Sequence, residues 1–355
     1  MMRNPTIVMM VMLSVAWSSG GASAEILAPF PPRAPSERVD GPDCPQPPAP
    51  VVGLAVISKY GNDGPNRDTI DLQADRTFKA QIAPIRIFSQ TVVKMANRYT
   101  AHGSVTDAQC TLAWLTRWAQ GHALTQMSNP NTQFERAQFL AGLTIALLQV
   151  SPAIRPDPRF PVVAEWMTQL ASSTNAFFDA THDRLKGSRN NHSYWAALAS
   201  AGAAAVADDR PLWDWAIRTY RAGVCSSTAQ GGLPLELDRG KKSREYHLFA
   251  LNALVPVAAF AEANGVAAYQ ICNGAMHRIV KFTLQSIHDP SAIAAASGTG
   301  QEAFAEGQPS GRTLAFLQLY HLAFPGKAPM EKDLLARAPF IVTNMGGDQA
   351  LLYGR

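Results

Sequence analysis

The sequence is poor in charge and has no long run of one sign. Charged residues make up 16% of the 355 residues, and the formal net charge is +4. No basic block of the kind found in nucleic-acid-binding tails is present. We therefore expect no nucleic-acid partner. A polyanionic ligand, bound by particular basic side chains in one groove, remains compatible with this composition.

Metal-binding spacings are also missing. The four cysteines, Cys44, Cys110, Cys225 and Cys272, form no C-x-x-C or Cys/His pattern, so a zinc site is not expected. An even number of cysteines in an exported chain instead suggests two disulfides, for which three connectivities exist. We favour Cys44–Cys110, which would join an N-terminal arm to a helix, and Cys225–Cys272, which would join neighbouring helical hairpins.

The N-terminus has the features of a secretory signal peptide. Arg3 precedes an apolar stretch from Ile7 to Trp17, and Ala22-Ser23-Ala24 is a small-residue cleavage site before Glu25. The apolar stretch is shorter than the roughly 20 residues that a membrane-spanning helix needs. We expect residues 1–24 to be removed, no later segment to be long and apolar enough to span a membrane, and the mature protein to be periplasmic or secreted.

The remaining chain predicts an all-α protein with an extended N-terminal arm. Residues 25–53 are rich in proline, which disrupts helices and sheets. The loop at about 58–68 is dense in Gly, Asn, Asp and Pro and long enough to be a lid. Residues 54–355 form one domain whose apolar spacing is helical. Helices are expected at 191–206, 211–222, 243–264, 267–287 and 309–323, with a short extended closure near residues 339–347. Short loops imply antiparallel hairpins, and the lack of a fixed-period repeat argues against a regular solenoid.

Two polar clusters interrupt this apolar pattern. The first is Asn190-Asn191-His192-Ser193-Tyr194-Trp195, at a predicted helix start. A capping Asn, a packed His and a packed Tyr-Trp pair would explain it without a function. In the second, Arg239 precedes Tyr246 by seven residues, which is nearly one face of a helix. An arginine near a tyrosine lowers the phenol pKa, as a tyrosine base requires. A solvated basic helix start is the alternative.

The clusters together resemble the alginate lyases of polysaccharide lyase family 5. The first matching motif is Asn-Asn-His-x-Tyr-Trp at 190–195. The second is Gly-x-Leu-Pro-x-Glu-Leu-x-Arg-Gly, which runs through Gly232 to Gly240, and the third is Tyr-His-x-Phe-Ala-Leu at 246–251. Further similarity covers nearly all of the mature chain. The resemblance implies an incomplete (α/α) barrel with a deep groove, and a β-elimination that needs no metal or organic cofactor.

The resemblance also implies roles for individual residues. Asn191 and Arg239 would neutralise the substrate carboxylate, with help from His192, and Tyr246 would transfer the proton. His192 could instead be the base for the epimer whose C5 proton lies on the other face. Candidate substrate contacts are Lys59, Tyr60, Arg67, Trp195 and His247, although a packed histidine is the simpler interpretation of His247.

The substrate expected from the resemblance is an anionic polysaccharide, mannuronate-rich alginate, cut by a monomer. Lys241 and Lys242 depart from the family pattern and could favour polyglucuronate or hyaluronan. A non-catalytic polysaccharide-binding component of an export system is a second possibility. A glycoside hydrolase is a third, because Glu236, Asp238 and Glu245 could supply carboxylic acids, although no second acid pairs with them in the first cluster.

Overall fold

The computed structural model describes residues 25–36, 44–60 and 66–354. The expected signal peptide and parts of the predicted arm and lid lie outside these residues. The longer helices are α1 Leu72–His102, α2 Val105–Gln120, α3 Pro130–Ile154, α4 Phe160–Thr181, α5 Asn191–Ala207, α6 Arg210–Cys225, α8 Ser243–Ala263 and α9 Ile271–His288. Shorter helices are α7 Pro234–Leu237, α10 Ser291–Ser297, α11 Phe316–Ala323, α12 Glu331–Leu335 and α13 Gln349–Tyr353.

The long helices pack in two layers. In the inner layer α1, α3, α5 and α8 contact one another in succession, and in the outer layer α2, α4, α6 and α9 do the same. Helix α5 is buried on all faces from Ser193 to Val206, as expected for a helix that is apolar all round. The predicted all-α class and barrel architecture are confirmed.

Helices α3 and α5 approach each other closely. A Cβ atom built on Gly202 would lie 2.2 Å from the Oγ1 atom of Thr144, so only glycine fits at this contact. The Ala-rich sequence of α5 keeps the rest of the interface thin. The two helices are therefore held at close range at this contact.

The C-terminal segment completes the inner layer. Helix α11 contacts α8, and α13 lies between α11 and α1. Strands β3 Ile341–Val342 and β4 Gly347–Asp348 form an antiparallel pair, which is the extended closure predicted near residue 340. The short helix α11 begins at Phe316, later than the predicted residue 309.

The N-terminal arm is tied to the outer layer rather than folded on itself. Strand β1 Gly53–Leu54 pairs in parallel with β2 Gln126–Met127. The indole Nε1 atoms of Trp114 and Trp118 donate to backbone carbonyls of the arm, at 2.8 Å and 3.1 Å. The Cys44–Cys110 disulfide adds a covalent link to α2. These tryptophans therefore belong to the core.

The second disulfide joins Cys225, at the end of α6, to Cys272, at the start of α9. Both pairings are those favoured from the sequence. Cys272, Asn273 and Gly274 have left-handed backbone angles, so the regular part of α9 begins at about Ala275.

Two helices of the described residues are long and apolar enough to cross a membrane, and the expectation that no such segment follows the signal peptide was wrong. They are Pro130–Ile154 and Gly240–Ala263, whose most apolar windows are 89% and 78% buried inside the protein. Apolar sequence of this kind is also what a helix at the centre of a large core requires. Here it forms part of the inner layer.

Candidate active site

A groove of about 540 Å³ opens between the inner helices and the loop that precedes α1. Helices α1, α3, α5 and α8 each contribute side chains, and residues 57–60 and Arg67 form one rim. We call this the groove. Of the predicted site residues, it brings together Lys59, Tyr60, Arg67, His192, Arg239 and Tyr246.

The described residues that line the groove are strongly cationic. Six carry a positive charge: Lys59, Arg67, Lys79, Arg86, Arg239 and Arg312. Glu135 is the single carboxylate among them. Burial raises the pKa of Glu135 to about 7, although Lys59 and Arg86 oppose the rise. A groove with this charge is suited to a polyanion.

Arg239, Tyr246 and Tyr60 form one contact group at the centre of the groove. The guanidinium carbon of Arg239 lies 3.8 Å from the ring centroid of Tyr246 and 5.1 Å from that of Tyr60. The two tyrosine hydroxyls are hydrogen-bonded to each other. Tyr60, on the rim of the groove, therefore contacts Tyr246, the residue that was expected to transfer the proton.

The geometry that joins Arg239 to Tyr246 is a turn and not a continuous helix. Arg239 precedes a short 3₁₀ turn, Gly240–Lys242, and α8 begins at Ser243. Gly240 has a φ of +55°, and a Cβ atom there would lie 2.8 Å from the Nδ2 atom of Asn66. The turn requires glycine on both counts. It folds the arginine back over the phenol, where it also donates to the backbone carbonyl of Arg67 at 2.5 Å.

The expected low pKa of Tyr246 was wrong. Burial and the neighbouring Tyr60 raise the pKa of Tyr246 well above its usual value, and Arg239 opposes this only in part. The sequence showed the cation but not the depth at which the phenol lies. With its pKa raised in this way, Tyr246 is protonated at neutral pH.

His192 lines the groove as a neutral imidazole. Its ring stacks on Phe134, with centroids 4.0 Å apart and planes 7° apart. Burial, together with the positive charges of Arg239, Arg67 and Lys59, lowers the pKa of His192 to about 3. Its Nδ1 atom is buried without a hydrogen-bond partner. His192 can therefore accept a proton or donate a hydrogen bond, but it does not supply a positive charge.

Asn191 is fully buried and does not line the groove. Its backbone N–H and its Nδ2 atom donate to the two carboxylate oxygens of Glu236, at 2.7 Å and 2.9 Å. Its Oδ1 atom is buried without a partner. The preceding Asn190 is the N-cap of α5, since its side chain accepts from the His192 N–H. The two asparagines therefore have different tasks.

Trp195 and His247 lie outside the groove. Trp195 borders an adjoining cavity that shares Tyr60 and Tyr246 with the groove, and it packs on Phe249. His247 is buried, accepts from the Leu233 N–H and bonds the Ser243 carbonyl. With both ring nitrogens used by the backbone, His247 holds the turn before α8 and has no free atom for a substrate. The structure therefore does not support the predicted contact of His247 with the substrate.

Several groove residues were missed from the sequence. Helix α1 presents Lys79, Ile82, Arg86 and Gln90, and α3 presents Asn131, Glu135 and Gln138. Their spacing of three or four residues places each set on one helix face. Polar side chains that recur at this spacing were the sequence signal that could have identified these groove residues. Nothing in the sequence indicated Arg312 or Asn344, which reach the groove from the C-terminal segment.

Lys241 and Lys242 do not face the groove. They line a separate cavity with Arg244 and Glu302. The Nζ atom of Lys242 lies 3.2 Å from a carboxylate oxygen of Glu245 and 2.8 Å from one of Glu302. These two lysines therefore give no reason to expect polyglucuronate or hyaluronan as the substrate.

Within residues 25–36, 44–60 and 66–354, no group of three or more His, Cys, Asp or Glu side chains is arranged to hold a metal ion. Carboxylates are also few near the groove. Glu236 is buried, Asp238 is ion-paired with Lys186, and Glu245 borders the adjoining cavity.

Comparison with known proteins gives consistent matches. An alginate lyase from Azotobacter vinelandii is 30% identical over 88% of this chain and 85% of its own length. One from Cobetia marina is 28% identical over 99% of this chain and 97% of its own. Alginate lyase A1-III from Sphingomonas species A1 superposes with a TM-score of 0.74 at 21% identity, covering 94% of this chain and 91% of that one; it has also been solved complexed with a tetrasaccharide. The family model described as alginate lyase matches residues 55–293, and the chain belongs to that family.

Proposed function

We propose that this lyase cleaves mannuronate-rich alginate by β-elimination, with Tyr246 as the proton carrier. The observation that carries the proposal is the contact of Arg239 with the Tyr246 ring at 3.8 Å, inside a groove with six cations. The bond between C4 and O4 of a uronate breaks once the C5 proton has been removed. A C5 carbanion next to a carboxylate requires that the carboxylate be neutralised.

Each proposed step has a group in place. Tyr246 takes the C5 proton, the electrons form the C4–C5 double bond, and the leaving O4 receives a proton from the same phenol. Arg239 stabilises the transient phenolate and, with Lys59 or Arg312, balances the charge of the uronate carboxylate. The cycle returns Tyr246 to the phenolate, so the phenol, whose pKa is raised by burial, must lose a proton before the first turnover only.

The preference for mannuronate follows from the number of proton carriers. In β-D-mannuronate the C5 proton and the C4 oxygen lie on the same face of the ring, so one phenol can serve both. In α-L-guluronate they lie on opposite faces, and a second group is needed. His192 is the neutral side chain in the groove that could act as that second base. We propose that it mainly positions the carboxylate by hydrogen bonding.

A direct assay tests this proposal. The mature protein is incubated with polymannuronate or polyguluronate, and the absorbance of the unsaturated product is recorded. We expect the absorbance to increase faster on polymannuronate than on polyguluronate. We expect Tyr246→Phe to produce no such increase. Tyr194→Phe is the matched control, because Tyr194 is a buried tyrosine that does not line the groove. Reducing ends without the absorbance would indicate a hydrolase, and binding without either product would indicate a non-catalytic component.

We also propose that the protein acts in the periplasm or outside the cell. Two disulfides within the described residues support this, because such bonds persist in oxidising compartments. Fractionation of the producing cells, with free thiols counted in each fraction, tests it. A reduced protein found in the cytoplasm would contradict it.

A further inference from the structure

Glu135 is the one carboxylate among the described residues that line the groove, and the proposed reaction does not use it. It lies on α3 directly after Phe134, whose ring stacks on His192 with the centroids 4.0 Å apart. The Glu135 side chain is half-buried, and the positive charges of Lys59, on the rim, and Arg86, on α1, act on it. Glu135 therefore meets whatever ligand the groove holds.

The Glu135 carboxylate is unpaired. Among the described residues, no group donates a hydrogen bond to it or forms an ion pair with it. Other acids beside the site differ, because both oxygens of Glu236 accept from Asn191 and Glu245 is ion-paired with Lys242. A carboxylate withdrawn from water without a donor is unfavourable, and burial raises the pKa of Glu135 to about 7 for this reason. Its oxygens are free to accept from a ligand.

The ligand groups that suit these oxygens are hydroxyls. An ionised carboxylate only accepts hydrogen bonds, so it binds a sugar hydroxyl and repels a second carboxylate or a sulfate. The six cations of the groove attract every polyanion and do not discriminate between anionic groups. A repulsive group at one position supplies the discrimination that attraction alone does not. Glu135 is placed to supply it.

We propose that Glu135 is a specificity-determining residue, which accepts hydrogen bonds from the free hydroxyls of a bound uronate sugar and excludes a sugar that carries an additional anion there, such as a sulfate ester. This inference deepens the proposed function and rests on it, because it concerns which uronate polymers the groove accepts. A polymer with free hydroxyls is accepted, whereas a sulfated uronate polymer is disfavoured although it carries more negative charge.

The surroundings of Glu135 make this exclusion depend on pH. The six cations named above come from the rim, α1, the turn before α8 and the C-terminal segment, and the other titratable side chains lining the groove are Tyr60, His192 and Tyr246. His192 is neutral above about pH 5 because its pKa is about 3. Tyr246 stays protonated because burial raises its pKa. The exclusion should therefore strengthen as Glu135 ionises.

Binding of two ligands with the same backbone tests the proposal. The ligands are a mannuronate tetrasaccharide and the same tetrasaccharide with its hydroxyls sulfated. All variants carry Tyr246→Phe so that neither ligand is cleaved, and calorimetry gives the ratio of the two dissociation constants. Glu135→Gln should shift this ratio in favour of the sulfated ligand by up to about tenfold at about pH 8. The limit arises because a carboxyl group with a pKa of about 7 can instead take up a proton, at a cost of about tenfold per unit of pH.

A change of pH and a matched variant make the result specific. At about pH 5.5 Glu135 is protonated, so the shift caused by Glu135→Gln should fall below about twofold. Glu165→Gln removes an exposed carboxylate from α4, outside the groove, and should leave the ratio unchanged at both values of pH. A ratio that Glu135→Gln leaves unchanged at the higher pH, or that Glu165→Gln shifts equally, would overturn the proposal.

Glu135→Ala tests the hydrogen bonds to hydroxyls separately. Glutamine keeps an acceptor oxygen and alanine does not. The unsulfated tetrasaccharide should therefore bind more weakly to Glu135→Ala than to Glu135→Gln, by roughly fivefold. Equal affinities would contradict the role of Glu135 as an acceptor for hydroxyls.

The binding measurement and the lyase assay separate this inference from the proposed function. If the ratio shifts as expected but no uronate polymer yields unsaturated product with the wild-type protein, Glu135 selects the ligand and the proposed function is wrong. If product forms while the ratio does not shift, the function stands and the role of Glu135 is wrong.

Discussion

Arg239 covers the ring of Tyr246 at 3.8 Å while the same guanidinium donates to the Arg67 carbonyl at 2.5 Å. The cation is therefore fixed between the rim and the centre of the groove. A lysine cannot make both contacts, because it lacks the planar group and its fixed set of donors.

Replacement of Arg239 should mainly lower kcat. We expect Arg239→Lys and Arg239→Ala to reduce kcat on polymannuronate by roughly 10²–10³-fold, as does the loss of one group that stabilises the transition state. Steady-state kinetics measures this. Lys241→Ala removes a cation outside the groove and should leave kcat and KM unchanged. An equal effect of Arg239→Ala and Lys241→Ala would mean that only net charge matters.

His192 should not titrate in the physiological range. Burial lowers the pKa of His192 to about 3, so its ring proton signals should stay constant above about pH 5. In Phe134→Ala the ring loses its stacking partner and gains water, and its pKa should move upward towards the ordinary value. NMR titration of the histidine signals measures both. A wild-type midpoint near 6.5 would show that the imidazole is solvated.

Glu236 should make stability depend on pH. Its folded-state pKa is raised from 4.5 to about 7, so the native state binds the proton more tightly than the unfolded state. The stabilisation is complete below about pH 4.5 and is lost as the pH rises through about 7, by at most about 3 kcal/mol. Glu236→Gln should therefore be less affected by this rise in pH. Urea unfolding at about pH 5 and pH 8 measures the difference, and parallel curves for the two proteins would contradict it.

The Cys44–Cys110 disulfide should contribute to stability and not to catalysis. It closes a segment with a sequence separation of 66 residues. Replacing both cysteines by serine should lower the free energy of unfolding by about 2–4 kcal/mol. The groove is formed elsewhere, so kcat at low temperature should be unchanged. Denaturant titration together with the lyase assay checks both points, and a loss of kcat in fully folded protein would show that the arm supports the groove.

The sequence predicted the architecture well, because helical spacing and the absence of a repeat limit the alternatives. The start of α5 was expected at residue 191 and that of α8 at residue 243, and both helices begin there. The start of α9 was set too early because the left-handed backbone at Cys272 and its two neighbours has no signal in the spacing of apolar residues.

The sequence predicted which residues form the site, but not how these residues are arranged and buried. His192, Arg239 and Tyr246 were expected to lie together, and they do line one groove. The pKa of Tyr246 was misjudged because burial depends on the packing of the whole chain. The partner of Asn191 could not be foreseen either, since Glu236 belongs to a different motif and meets it only in the folded protein.

The contact between Gly202 and Thr144 has a consequence for the groove far from either residue. Helix α3 carries Glu135 and Phe134 at the groove, and α5 carries His192, whose ring stacks on Phe134. Gly202 lies ten residues beyond His192, which is roughly 15 Å along the helix axis. A methyl group added there would push the two helices apart. The closeness of the Phe134–His192 stack at the groove is thus determined in the core, by the smallest side chain in the helix.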